Sequence, residues 1–153
     1  MWALLPIKNL DTAKQRLAGA LTPAERRALF DAMLRDVLTA LAQTAGLDGI
    51  AVMTRDPAAC ALARTHGARL LSEDENQGQT AAVEAGIAAL KADRIDTVMA
   101  VPGDVPMATP TEFERVLAAH QGAHQGAHQG AHQAMIQAMT IVPLQHLGRH
   151  MGQ

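Results

Sequence analysis

Three cationic side chains, Lys8, Lys14 and Arg16, lie within a short segment near the amino terminus. They follow an apolar run, Trp2–Ile7, which predicts a short buried strand. Lysine supplies a mobile point charge and arginine a planar fork, and both suit the oxygens of a triphosphate. Because surface loops often contain such residues, a solvated cluster without function is the alternative interpretation.

Asp104 lies directly after a second apolar run, Thr97–Val101, in the segment Pro102-Gly103-Asp104-Val105-Pro106. A carboxylate at a strand end can hold Mg²⁺, which prefers carboxylate oxygens and substrate phosphates to an all-protein cage. The two prolines restrict the backbone on either side of Asp104, which favours a metal site over the alternative, an aspartate that caps a turn.

The segment Asn76-Gln77-Gly78-Gln79-Thr80 stands between a predicted strand and a predicted helix. Its amides and backbone N–H groups can read a base, and a helix amino terminus favours an anion. The acidic run just upstream, Glu73–Glu75, would repel a phosphate. The segment therefore suits a base or ribose contact, while a plain solvated loop fits the spacing equally well.

Strand and helix patterns alternate along the chain, which predicts an α/β, Rossmann-like, mostly parallel sheet with helices on both faces. Ligands of such sheets bind at the carboxyl ends of the strands, where Lys8 and Asp104 are expected. The predicted strands are Trp2–Ile7, Gly49–Thr54, Ala68–Leu71, Thr97–Val101 and Met139–Pro143. The predicted helices begin at Thr22-Pro23, Asp56-Pro57, Ala81 and Thr109-Pro110.

The length of 153 residues fits one domain, and the formal charge of −2 does not favour a nucleic-acid binder. A single cysteine, Cys60, excludes an internal disulfide framework. The apolar run at the amino terminus is short and is broken by Pro6, and no stretch is long enough to cross a membrane. These features predict a cytoplasmic protein with no membrane partner.

A repeat fills much of the last quarter: Ala-His-Gln recurs four times, with histidines at 120, 124, 128 and 132. On a helix these histidines would form a stripe that could bind zinc or nickel. However, the glycine in each unit weakens a helix by about 1 kcal/mol, and the exact period favours an expanded low-complexity tract. The predicted divisions are therefore an α/β domain over 1–117, the repeat over 118–135, and a residual strand with an atypical tail over 136–153.

Several motifs together resemble the 2-phospho-L-lactate guanylyltransferase family, and the likeness covers about residues 1–117. Leu5–Lys8 followed by Ala13–Leu17 resembles the opening of that family, and Pro102–Pro106 resembles its metal-site motif. Further similar segments are Leu21–Arg27, Met33–Leu38 and, in a variant form, Gln79–Val83.

The resemblance implies a fold of the nucleotide-diphospho-sugar-transferase type and the transfer of GMP from GTP to a phosphorylated three-carbon acid. Such acids are 2-phospholactate, phosphoenolpyruvate and 3-phosphoglycerate. Pyrophosphate is released, and the product enters the synthesis of a deazaflavin coenzyme. By position, the resemblance makes Lys8, Lys14 and Arg16 the catalytic cations that hold the triphosphate, and Asp104 the Mg²⁺ ligand. It places Pro6, Asn76, Gly78 and Thr80 at the nucleotide.

The carboxyl-terminal segment departs from that family. After Thr140–Pro143 the family continues with an acceptor-binding loop and a second metal-binding aspartate, whereas this sequence continues with Leu144–Gln153 and ends. That tail resembles a shifted reading frame behind an expanded repeat, so impaired turnover is expected. Two alternatives remain: a molybdopterin-type nucleotidyltransferase, disfavoured because no glycine precedes Gly19, and a non-catalytic protein that binds metal through the histidine tract.

Overall fold

The computed structural model describes residues 1–8, 15–72, 79–125 and 140–143. The five strands are β1 (Trp2–Pro6), β2 (Gly49–Met53), β3 (Arg69–Leu71), β4 (Thr97–Ala100) and β5 (Thr140–Pro143). The four helices are α1 (Pro23–Ala42), α2 (Pro57–Thr65), α3 (Gln79–Ala92) and α4 (Pro110–Gln125), and a single 3-10 turn covers Gln15–Leu17. The predicted α/β alternation is confirmed.

The strands form one sheet in the order β3-β2-β1-β4-β5. The first four strands are parallel, and β5 pairs with β4 in the antiparallel sense. The chain builds outward from β1 to β3 and then returns to the other side of β1 as β4. The strand order therefore reverses between β1 and β4, and this reversal is where open α/β sheets bind their ligands.

The sheet is buried on both faces because successive side chains of a strand point to opposite sides. Ala3 and Leu5 face α1, α2 and α4 in one apolar cluster, while Leu4 faces α3 in the other. Phe113 of α4 is fully buried in the larger cluster and is the bulkiest side chain buried to that degree within the described ranges. Because successive side chains alternate along β1, they pack in turn against the helices on one face of the sheet and against α3 on the other.

Capping by short polar side chains explains where three of the helices begin. Thr22 and Glu25 form a reciprocal capping box at α1, and Thr109 and Glu112 form the same hydrogen bonds at α4. Asp56 caps α2 by accepting hydrogen bonds from the backbone amides of Ala58 and Ala59. All three starts were predicted from the sequence.

The capping box of α1 makes stability depend on pH. Hydrogen bonds from the Thr22 hydroxyl and backbone N–H to the Glu25 carboxylate lower the pKa of Glu25 below 4.5. A lowered folded-state pKa stabilises the fold above the ordinary pKa, and the contribution is lost as the pH falls through the lowered value. We expect Glu25→Gln to reduce the melting temperature at about pH 7, and to reduce it by less at about pH 3, which is below the ordinary pKa of the carboxyl group. Thermal unfolding followed by circular dichroism at both pH values checks this, and an equal difference at both would contradict it.

Helix α4 begins at Pro110 and continues past residue 117, through the first two Ala-His-Gln units of the repeat, to Gln125. A methyl group at Gly122 would meet nothing within 4 Å, so the helix tolerates this glycine without needing it. The predicted domain boundaries at 117 and 135 stay predictions. Over the parts of the chain that the structure describes, none of the helices is both long and apolar enough to cross a membrane.

Candidate active site

The carboxyl ends of β1 and β4 meet at the point where the strand order reverses. The amide of Ile7 donates to the carbonyl of Met53 at 2.8 Å, and the amide of Val101 donates to the carbonyl of Leu4 at 2.9 Å. Sheet-like hydrogen bonding therefore continues one residue past each strand. The loops that carry Lys8 and Asp104 start from firmly held backbone.

Lys8 and Asp104 follow two strands that pair in parallel at the reversal point. The pairing of β1 with β4 ends with Leu4 opposite Ala100. Beyond it, a Cβ atom built on Gly103 would overlap Cδ1 of Ile7, so the residues directly before Lys8 and Asp104 approach each other closely. The Lys8 and Asp104 side chains are exposed, which leaves them accessible to a ligand.

A further cation, Arg55, follows β2, the strand on the other side of β1, and it was not predicted from the sequence. Pro6 pairs with Met53, and the amide of Ile7 donates to the carbonyl of Met53. The Arg55 side chain is exposed. The signal in the sequence was its position two residues after a buried strand, the same offset as Lys8 after β1. Arg55, Lys8 and Asp104 thus all lie in segments that follow the carboxyl ends of three adjacent strands.

The backbone next to Arg55 is held by Asp56, which is buried. Its carboxylate accepts hydrogen bonds from the amides of Ala58 and Ala59 at 2.9 and 3.1 Å, and it lies 3.6 Å from the guanidinium of Arg27 on α1. The amide of Asp56 also donates to the hydroxyl of Thr54. Asp56 is therefore a structural residue that fixes the turn after β2 and ties α2 to the start of α1.

Arg16, the third predicted cation, lies in the 3-10 turn and is exposed. The chain folds back immediately after it, because the amides of Ala20 and Leu21 both donate to the carbonyl of Leu17, at 3.0 and 2.9 Å. This compact turn leads directly into α1. Arg16 is thus presented from a hydrogen-bonded turn.

The remaining predicted site residues have mixed outcomes. Pro6 is the buried last residue of β1, and its nucleotide role stays a prediction. Lys14, Asn76 and Gly78 lie outside the described residues. The backbone of Thr80 belongs to the first turn of α3, while its side chain is outside the described set. Their predicted contacts with the nucleotide stay predictions as well.

Within the described ranges, no group of three or more His, Cys, Asp or Glu residues converges as a metal site. His120 lies on α4, whereas the histidines at 128 and 132 lie outside the described residues. The side chains of Asp104 and Lys8 are both exposed. Their roles as a Mg²⁺ ligand and as a cation for the substrate phosphates stay predictions.

Comparison with known proteins identifies the family. The profile described as "Guanylyl transferase CofC like" matches residues 1–125. The chain therefore belongs to the CofC-like guanylyl transferase family. A phosphoenolpyruvate guanylyltransferase from Conexibacter woesei is 40% identical over 116 residues, which cover 76% of this chain and 52% of that protein. A second, from Nocardia farcinica, is 37% identical over 76% of this chain and 53% of that protein. The chain spans about half the length of these curated relatives.

Solved structures confirm the predicted fold type. A protein described as a nucleotide-diphospho-sugar transferase from Desulfovibrio desulfuricans G20 superposes with a TM-score of 0.62 at 13% identity, covering 78% of this chain and 54% of that chain. A 4-diphosphocytidyl-2C-methyl-D-erythritol synthase from Anaerococcus prevotii gives 0.57 at 13% identity, covering 78% of this chain and 50% of that one. At these identities the likeness establishes the fold alone.

Proposed function

We propose that this CofC-like chain binds GTP at the carboxyl edge of its sheet and transfers the GMP group to a phosphorylated three-carbon acid. The observation that carries the proposal is the parallel pairing of β1 with β4 at the reversal point, because Lys8 and Asp104 follow these two strands. A cation and a carboxylate at this edge of the sheet suit a nucleoside triphosphate bound with Mg²⁺. The family membership supports guanine as the base, and the printed names of the relatives support phosphoenolpyruvate as the first acceptor to test.

The chain's own cations would bind and orient the triphosphate. Lys8 follows β1 at the reversal point, Arg16 lies in the turn before α1, and Lys14 is the third cation of the proposed group. An oxygen of the acceptor phosphate attacks the α-phosphorus, forming a new P–O–P bond. The bond from that phosphorus to the oxygen bridging to the β-phosphate breaks, and pyrophosphate leaves with the electron pair. Positioning and neutralisation of charge would supply most of the rate.

Asp104 would hold Mg²⁺ through its exposed carboxylate. The ion, when bound, supplies neutralisation of the charge that develops on the pyrophosphate. Lys8 would compensate charge from the loop after β1, and Pro102, whose ring fixes its φ angle, would restrict the backbone before Asp104. Asn76, Gly78 and Thr80 are proposed to lie near the guanine and Pro6 near the nucleotide, on the resemblance of their motifs.

Nucleotide binding and turnover test the proposal together. We expect GTP with Mg²⁺ to raise the melting temperature of the chain more than ATP or CTP does, because ligands that bind only the folded state stabilise it. We further expect pyrophosphate release when phosphoenolpyruvate is added, with 2-phospholactate and 3-phosphoglycerate as parallel acceptors. If no nucleotide shifts the melting temperature, the proposal is wrong. The cytoplasmic location stays a proposal that cell fractionation checks.

A further inference from the structure

Arg26, in the first turns of α1, is a buried cation that the proposed reaction does not use. Only 7% of the residue is exposed. Its Nη1 donates to the carbonyl of Leu21 at 2.8 Å, while its Nε is buried and has no hydrogen-bond acceptor among the surrounding atoms. A buried donor without an acceptor is uncommon in folded proteins and calls for an explanation.

Stability does not explain why an arginine occupies this position. A buried charged group with an unsatisfied N–H lowers stability, and an apolar side chain of similar length is often at least as stable. Leu21 is half-buried, so water can reach its carbonyl if the guanidinium is removed. The distinct effect of Arg26 is to hold the Leu21 carbonyl in one place.

Two hydrogen bonds connect Arg26 to the turn that presents Arg16. Arg26 holds the carbonyl of Leu21, and the amide of Leu21 donates to the carbonyl of Leu17 at 2.9 Å. Leu17 follows Arg16 directly. We propose that Arg26 is a positioning residue that anchors this turn to α1 so that the Arg16 guanidinium is held ready for the triphosphate. The inference rests on the proposed function.

Arg26→Met tests the role because methionine keeps an unbranched stem that reaches about as far as Nε and lacks the guanidinium. We expect it to weaken Mg²⁺-GTP binding by about 3–10-fold, a fraction of the loss for a charged hydrogen bond, while the melting temperature stays within about 2 °C. The matched control is Arg35→Met on the same helix, whose side chain is 58% exposed and pairs with Asp31. The control should leave affinity unchanged. Fluorescence titration with a labelled GTP analogue measures both.

A double-mutant cycle separates positioning from a general structural effect. If Arg26 acts through Arg16, adding Arg26→Met to Arg16→Ala will cause no further loss of affinity, because the group being positioned is gone. If each substitution instead lowers the affinity by its own factor and the two factors multiply in the double variant, the inference is wrong. Arg26→Lys, which keeps the charge and one donor toward Leu21, should bind with intermediate affinity, and it provides the same comparison if the methionine variant does not fold.

Failure of the proposed function and failure of the role of Arg26 give different experimental results. A wild-type chain that binds no GTP overturns the proposed function. A wild-type chain that binds GTP, beside a folded Arg26→Met variant that binds it equally well, overturns the role of Arg26 alone. Limited trypsin digestion reports on the anchor without nucleotide: cleavage after Arg16 should be faster in Arg26→Met than in Arg35→Met, and equal rates would contradict the anchoring.

Discussion

Asp104→Asn should weaken Mg²⁺-dependent GTP binding and reduce guanylyl transfer by about 100–1,000-fold. The amide keeps the shape of the side chain but removes the negative charge that would hold the ion, and charge stabilisation by a metal contributes several kcal/mol. The exposed carboxylate contributes nothing to the apolar core, so the melting temperature without ligand should stay close to that of the wild type. Titration with a labelled GTP analogue, with and without Mg²⁺, measures the effect.

Asp96→Asn is the matched control for this prediction. Asp96 is also exposed and directly precedes β4, so the same substitution removes the same charge at the opposite edge of the sheet. It should leave GTP binding unchanged. If Asp104→Asn binds Mg²⁺-GTP as tightly as Asp96→Asn does, Asp104 is not the metal ligand.

Gly103→Ala should destabilise the fold and weaken GTP binding together. The added methyl group would overlap Cδ1 of Ile7, which is 3% exposed, and would lie 3.5 Å from both Leu34 and Phe30. Ile7 cannot move aside without displacing this packing, and overpacking of a core costs about 1–3 kcal/mol. For a chain of this size the melting temperature should fall by about 3–10 °C. Displacement of Ile7 would also shift the adjacent Lys8, which is the reason for the expected loss of GTP binding.

Gly122→Ala supplies the comparison, because the same methyl group there would meet nothing within 4 Å. In a helix this change should be neutral or stabilising by up to about 1 kcal/mol. Thermal unfolding and GTP titration of both variants are the measurements. If Gly103→Ala is as stable as the wild type, the close approach of Ile7 to Gly103 is not required for stability.

Local patterns were sufficient for most of the fold. Thr22-Pro23 and Thr109-Pro110 predicted helix starts because a capping side chain and a proline act within one turn. The apolar run Trp2–Ile7 predicted β1 because strands buried on both faces lack alternation. By contrast, the antiparallel direction of β5 depends on pairing with β4, and no local signal encodes the direction of a distant partner.

The candidate site was predicted in part. Lys8 and Asp104 were recognised as strand-end residues, since the apolar runs before them show where the strands stop. Arg55 was missed because its importance comes from β2 lying next to β1, and Arg26 was missed because a single arginine on a helix gives no sign that it is buried. Whether a side chain is buried, and which strand lies next to its own, is decided only when the chain packs.

The sequence by itself thus determined the α/β class, the helix starts, the family and the three cations near the amino terminus, because each follows from short-range order along the chain. Only the tertiary structure decided that β1, which precedes Lys8, lies between β2 and β4, that Ile7 packs closely against Gly103, and that Arg26 donates to the carbonyl of Leu21. The physical reason is that strand order and register join residues from distant parts of the chain, through backbone hydrogen bonds that every residue type makes alike.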